Sequence, residues 1–165
     1  MALFTGIVWV LSKHATLDVK KYERLFLLGQ FASFGMLFTF PFFGYKLPSI
    51  FFSTLSVIFS YLFVYSAWKD MGKSVLPLPV ANWFKAAFIF LVFSSFGTFL
   101  LAYLMSSGIH DQEWYIGSVY FFLHFQYNGW FLFSILGFFV YFLSGLTYQP
   151  GCYPSPWIFR LFFVS

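Results

Sequence analysis

Long apolar stretches alternate with short polar connections along this chain. Four stretches contain at least 20 residues each: 25–44, 48–68, 83–105 and 115–146. A helix rises ~1.5 Å per residue, so about 20 apolar residues cross the ~30 Å hydrocarbon core of a bilayer. The pattern therefore predicts an all-α fold, an integral membrane helical bundle with four full transmembrane helices in a single membrane domain, 1–165.

The fourth stretch is too long for one helix that stands upright in a bilayer. Its 32 residues would form a helix roughly 48 Å long. We therefore expect a helix that is strongly tilted, protrudes beyond the bilayer or is kinked near Gly129.

Two shorter apolar segments, 1–11 and 157–164, lie at the ends of the chain, and each is about half a span. A signal peptide carries basic residues before its apolar core, whereas here they follow segment 1–11. The half-length segments indicate either that the chain is a piece of a longer protein or that its ends have an interfacial or re-entrant role.

Composition supports the membrane class and excludes several others. The chain is 61% hydrophobic and 8% charged, with a mean hydropathy of +0.81, far from the balance of soluble proteins. Its single cysteine, Cys152, excludes an intrachain disulfide and c-type haem attachment. No GxSxG, P-loop, GxGxxG or HExxH motif occurs. The net charge of +4 is explained by basic residues beside the spans, so no nucleic-acid binding is predicted.

Basic residues are distributed unevenly between alternate connections. Connections 12–24 and 69–85 carry seven lysines and arginines, whereas 45–47 carries one and 106–114 carries none. By the positive-inside rule, loops 12–24 and 69–82 are expected to be cytoplasmic. Loops 45–47 and 106–114 are then outside.

A faint internal repeat joins the first and third spans. FASFG, residues 31–35, and FSSFG, residues 93–97, share four of five residues at an offset of 62. Both lie in helices predicted to run in the same direction, which suggests two repeated helical hairpins. The alternative is that these serines and glycines, such as Gly35 and Gly97, only let helices approach closely.

The stretch FLHFQYNGWF, residues 122–131, places hydrogen-bonding side chains inside an apolar span. His124 lies nine residues beyond Tyr115, or about 14 Å into the membrane, close to the midplane. At helical spacing, one face carries four polar or aromatic polar side chains: Tyr120, His124, Tyr127 and Asn128. Gln126 points to a different side of the helix and is a further candidate for a supporting or relay residue.

Burying an unpartnered amide or imidazole in hydrocarbon costs several kcal/mol, so this face is expected to meet another helix, a cofactor or a water-filled cavity. Three interpretations of His124 remain open. It is a hydrogen-bonding link between helices, a proton or substrate relay, or an axial ligand to haem iron or another metal.

A metal or haem site needs further ligands. His14 and His110 fall in loops, so a second histidine would come from a partner subunit or from missing helices of the same chain. Met36 is the other soft ligand at matching depth, about 16 Å from the cytoplasmic side. A methionine in a core is more often a gap-filler.

Three runs of the sequence carry a family resemblance: GQFASFGMLFTF, NWFKAAFIFLVFSSFGTFLLAYLM and VYFFLHFQYNGWFLFSILG. They resemble an uncharacterised family of bacterial polytopic membrane proteins, in which LHFQYNGW is the most distinctive signature. That family is distantly similar to subunit I of haem-copper oxidases. The likeness covers roughly residues 25–145.

The resemblance implies roles for individual residues. His124 would be a haem or metal ligand, supported by Tyr127 and Asn128. Tyr120, one turn earlier, would support a proton path. Gln30, about 8 Å into the membrane, would be a polar entry point, with an interhelical amide bond as its alternative.

We therefore expect a membrane-embedded subunit of a respiratory or haem-associated redox system in a bacterial inner membrane, with either haem or no cofactor. Two other functions remain open: a proton-coupled transporter or permease with His124 as its midplane relay, and a structural membrane subunit without catalysis. The expected partners are the lipid bilayer and other membrane subunits or missing helices. Neither a substrate nor a catalytic residue is predicted.

Overall fold

The computed structural model describes residues 1–44, 47–108 and 111–146, and these are helical without strands. The helices are α1 (Ala2–His14), α2 (Val19–Phe43), α3 (Leu47–Met71), α4 (Leu78–Ser106), α5 (Gln112–His124), a π-helical segment (Phe125–Phe131) and α6 (Leu132–Leu146). The apolar segment 157–164 and His110 are not among the described residues. The same holds for part of the connections 45–47 and 106–114.

Four helices are long and apolar enough to cross a membrane: Val19–Phe42, Leu47–Met71, Leu78–Ser106 and Gln112–Gly145. This confirms the all-α bundle with four spans, and the protein is an integral membrane protein. The fourth span runs through α5, the π-helical segment and α6 without interruption. Gly129, where a kink was one expectation, lies inside the π-helical segment.

Two spans begin earlier than the edges of their apolar stretches. Helix α2 begins at Val19 because Asp18 caps it, accepting a hydrogen bond from the backbone N–H of Lys21 at 3.4 Å. Helix α4 begins at Leu78, because a proline in the first turn, here Pro79, needs no N–H. Hydropathy alone therefore misplaces both starts by about five residues.

One side of helix α1 is packed into the bundle. Its Ile7, Val10 and Leu11 have no exposed surface. Its end is fixed to the connection before α4, where the backbone N–H of Val75 donates to the carbonyl of His14 at 3.1 Å. Because α1 has 13 residues, or roughly 20 Å of helix, it fills only part of the length of the bundle.

An aromatic layer surrounds the start of α1. It comprises Phe4, Phe59, Phe63, Phe88 and Trp130, all buried. The ring of Phe4 lies 4.6 Å from that of Phe63 and 4.8 Å from that of Trp130, while Phe88 stacks on Trp130 at 5.9 Å. Aromatic pairs at these separations add to the burial of apolar area, so this layer is the packed centre of the bundle.

One end of the bundle, here called the basic end, contains residues 12–24 and 69–85. There the hydroxyl of Tyr22 donates to Asp70 Oδ2 at 2.6 Å, and Lys21 Nζ lies 3.7 Å from the same oxygen. These contacts join α2 to α3. The partly exposed ion pair adds little by itself, so the tyrosine hydrogen bond is the stronger tie.

The two copies of the short repeat occupy equivalent places in two hairpins. Gly35 of α2 lies against the ring of Phe52 of α3. Gly97 of α4 lies against the backbone of α5, and a Cβ added there would be 2.8 Å from the carbonyl oxygen of Ser118. Each glycine thus lets a helix approach its successor closely, as the packing interpretation of the repeat requires.

Candidate functional site

Tyr120, His124, Tyr127 and Asn128 lie together on the surface of the bundle, and we call this set the His124 face. All four are exposed, with Tyr120 at 69% and Tyr127 at 60%. His124 is the last residue of α5, and Asn128 follows one turn later in the π-helical segment. Such π-helical insertions are frequent at functional sites.

The structure does not bring the His124 face against another helix of the described chain, contrary to one expectation from the sequence. The opposite side of this span packs on α4, because small residues there permit close approach. Gly129 lies against Phe90, and Ser118 is buried beside Gly97. The His124 face is consequently turned away from the bundle.

A hydrogen bond within the helix fixes the His124 ring. Asn128 Nδ2 lies 3.2 Å from His124 Nδ1. An amide nitrogen only donates, so Nδ1 accepts and the neutral ring carries its proton on Nε2. Among the described residues, this Nε2–H has no hydrogen-bond acceptor. In this arrangement His124 offers a donor to whatever covers the face.

Binding of a metal through Nε2 requires the other tautomer. The proton must then lie on Nδ1, and Asn128 must present Oδ1 to accept it. A turn of the Asn128 amide by half a rotation achieves this without moving the backbone. The site can therefore act as a hydrogen-bond donor as it stands, or as a ligand after that turn.

Gln126 has the opposite environment. Its Oε1 accepts a hydrogen bond from Ser94 Oγ of α4 at 3.0 Å, and the side chain lines a cavity inside the bundle. Gln126 is therefore the polar side chain of this segment that bonds to another helix of the same chain.

The other sequence candidates are not assembled around His124. Met36 is partly buried and lines the internal cavities with Phe122, whereas His124 lines none of the three cavities described for this bundle. Gln30 is exposed on α2. Met36 and His124 therefore do not form a pair of ligands within one cavity of the described chain.

His14 is also away from the His124 face. It lies at the basic end with its ring 5.7 Å from that of Tyr141. Among the described residues, no group of three histidine, cysteine or carboxylate side chains is close enough to hold a metal ion. Any further ligand for His124 would come from outside the described part of the chain.

Sequence reasoning missed a set of hydroxyl groups that line the interior. Ser49, Ser53, Ser56 and Ser60 of α3 recur at intervals of four, three and four residues, which places them on one helix face. All four line the cavities between α3 and α4. This periodicity was visible in the sequence, but it was obscured by the abundance of apolar residues.

No protein-family model matches the chain, and no curated protein or solved structure is significantly similar to it. The resemblance carried by LHFQYNGW therefore remains a prediction. Its residues nevertheless coincide with the π-helical segment and the His124 face.

Proposed function

We propose that the protein is a membrane-embedded subunit of a larger complex and that it contacts a second copy of itself through the His124 face. One observation carries the proposal: four hydrogen-bonding side chains lie exposed in the middle of a membrane span. His124 is 12 residues into α5, or about 18 Å along the helix, which is too deep for water or headgroups to satisfy them.

The chemistry of the His124 face favours a second copy as its partner. The face contains donors, namely His124 Nε2–H, the tyrosine hydroxyls and an Asn128 amide hydrogen, together with acceptors on the same residues. It carries no formal charge when His124 is neutral. In a twofold interface the same surface meets itself, so donors of one copy can meet acceptors of the other.

The energy scale supports association in hydrocarbon. Polar side chains that face lipid leave groups unpaired at a cost of several kcal/mol, whereas hydrogen bonds between transmembrane helices return about 1 kcal/mol each. In a pair of copies these groups would partner one another, and the net gain is about 1 kcal/mol for each interhelical hydrogen bond formed. The driving force therefore comes from polar groups in the membrane rather than from apolar burial.

The proposed orientation places the basic end in the cytoplasm of a bacterial cell, with loops 12–24 and 69–82 on that side. The charge asymmetry of the connections supports it. Connections 45–47 and 106–114 would then face outward across the inner membrane.

Fluorescence energy transfer between copies tests this function. Donor and acceptor dyes are attached to Cys152, the single cysteine, and labelled copies are mixed in liposomes. We expect energy transfer in the wild type and in Gln126→Leu, and a loss of transfer in His124→Leu/Asn128→Leu. Equal transfer in all three proteins would contradict the proposal.

A haem-associated redox role is the second candidate, and the position of His124 favours it. In a twofold pair the two His124 rings face the same interface, and two imidazoles are a suitable axial ligand set for haem iron. The second histidine that the described chain lacks would thus come from the partner copy. This role additionally requires the Asn128 amide to turn so that Nδ1 becomes the protonated nitrogen.

The visible spectrum of protein purified from haem-replete cells tests the redox role. A Soret band that is present in the wild type, retained in His14→Ala and lost in His124→Ala would support ligation by His124. A colourless wild-type protein would contradict haem binding and would leave the self-association proposal unaffected.

A further inference from the structure

A cavity separates the hairpin α2–α3 from the hairpin formed by α4 and α5. It consists of two adjoining parts with volumes of about 260 Å³ and 150 Å³. The parts share five lining residues: Met36, Ser53, Val57, Thr98 and Phe122. We call the whole space the inter-hairpin cavity.

The two parts of the inter-hairpin cavity differ in the side chains that line them. The larger part is mainly apolar, with Phe40, Leu101 and Val119 among its lining residues. The smaller part keeps some apolar wall but is richer in hydroxyl and amide side chains: Ser53, Ser56, Ser60, Tyr61, Ser94, Ser95, Thr98 and Gln126. Among the described residues, none that lines either part is charged. The wall thus suits an uncharged molecule with a polar head and an apolar body.

Most of the hydroxyl hydrogens are already used within the helices. Ser60 donates to the carbonyl of Ser56 at 3.0 Å, and Thr98 donates to that of Ser95 at 2.7 Å. A hydroxyl that donates to the backbone keeps lone pairs free to accept. The amide N–H₂ of Gln126, whose Oε1 is bonded to Ser94, supplies donors. The polar part therefore matches a head group that both donates and accepts, such as a hydroxyl.

The cavity is accessible from the surface of the bundle and closed at its inner end. Thr54 and Phe99 of its lining are exposed, so the cavity reaches the lipid-facing surface. Toward the basic end, Phe63 lies one turn beyond Ser60, and Phe88 one turn before Leu91, both in the aromatic layer. This shape indicates a pocket with one opening rather than a channel. A lipid would enter it laterally from the membrane.

We propose that the inter-hairpin cavity binds an uncharged lipid that carries a hydroxyl head group, with the head in the Ser/Thr/Gln-lined part and the chain in the apolar part. The proposal is independent of the His124 face, which lies on the opposite side of the same span. Ordered water alone is the competing occupant of the polar part.

Photolabelling of the full chain in nanodiscs tests this proposal. The probe is hexadecanol that carries a diazirine on its chain, and labelled peptides are located by mass spectrometry. We expect labelling of α3 and α4 peptides that line the cavity. Excess unlabelled hexadecanol should suppress it, while the same excess of hexadecanoate, with its charged head, should not.

Three variants locate the binding. Ser53→Phe fills the point shared by both parts and should abolish the competable labelling, whereas Ser33→Phe, the same change at an exposed position of α2, should leave it intact. Ser60→Ala, in the part assigned to the head group, preserves the packing if Ser53→Phe does not fold. Loss of one hydrogen bond should weaken competition by about fivefold in this variant.

Two results would overturn the proposal. One is labelling of the cavity peptides that hexadecanol does not suppress, or that hexadecanoate suppresses equally, because the site would not then select a neutral head. The other is the absence of cavity labelling in a folded wild type, which would leave water as the occupant.

Discussion

Gln126 and His124 are two residues apart on one span, yet their environments differ in every respect. Two residues correspond to roughly 200° around a helix, so the side chains lie on nearly opposite sides. Gln126 bonds to Ser94 on α4, whereas His124 bonds only to Asn128 on its own helix. The inner polar group contributes to the fold of this chain, and the outer one is available to a partner.

The difference shows how polar residues in membrane spans should be interpreted. Depth in the bilayer determines the cost of an unpaired polar group, but it does not determine which neighbour satisfies it. For Gln126 the neighbour is a helix of the same chain. For His124 we propose a neighbour from outside the described residues.

The largest expected effect is a loss of stability when a glycine on the packed side of this span is substituted. Gly129→Leu places a side chain into Phe90 of α4 and should prevent stable packing, at a cost of at least about 1–3 kcal/mol. Gly117→Leu is the matched control, because nothing lies within 4 Å of a Cβ there, and it should leave stability nearly unchanged. Unfolding in mixed micelles of increasing SDS fraction measures both. Equal destabilisation would contradict the assignment of inner and outer sides.

The next largest effect is expected on self-association, without a loss of stability, when the His124 face is made apolar. His124→Leu/Asn128→Leu should weaken self-association by about 30-fold, since two symmetric interhelical hydrogen bonds of about 1 kcal/mol each are lost. The stability of the single chain should stay the same or rise, because polar groups that face lipid are replaced. Energy transfer at graded dilution in lipid measures the first quantity, and SDS unfolding measures the second.

Gln126→Leu should show the reverse pattern. The bond to Ser94 is lost, so the free energy of unfolding should fall by about 1 kcal/mol, while self-association should not change. The same two measurements apply. A Gln126 variant that lost association but not stability would show that the two faces had been exchanged.

The smallest effect on self-association is expected for Tyr127→Phe. The ring that stacks on Phe131 at 5.6 Å is preserved and only an exposed hydroxyl is removed. Self-association should weaken by less than about threefold. A much larger loss would identify Tyr127, rather than His124, as the principal polar contact of the interface.

The spans could be predicted from the sequence because their length and apolarity depend on the bilayer alone. The sides of the helices could not be assigned in the same way. Phenylalanine occurs all around α4 and α5, so polarity does not distinguish the packed side from the lipid side. Small residues such as Gly97 and Gly129 carry that information instead.

The candidate site was only partly predictable. The helical spacing correctly grouped His124 with Asn128 and set Gln126 apart, because a local period suffices for that. It could not show that the His124 face turns away from the bundle, since that depends on the close packing of Gly129 on α4. The π-helical segment and the position of α1 against the bundle were not predicted, because both follow from tertiary packing.

Cross-linking in the membrane tests the central claim most directly. In a Cys152→Ser background, cysteines replace Tyr120 or Tyr127 on the His124 face, and Phe34, which is 58% exposed on α2, as the control. Membranes are treated with a short bismaleimide and separated by denaturing electrophoresis. We predict a cross-linked dimer from at least one position of the His124 face and none from position 34. Monomers at both positions of the face, or equal dimer at all three, would contradict the claim that this face meets a second copy.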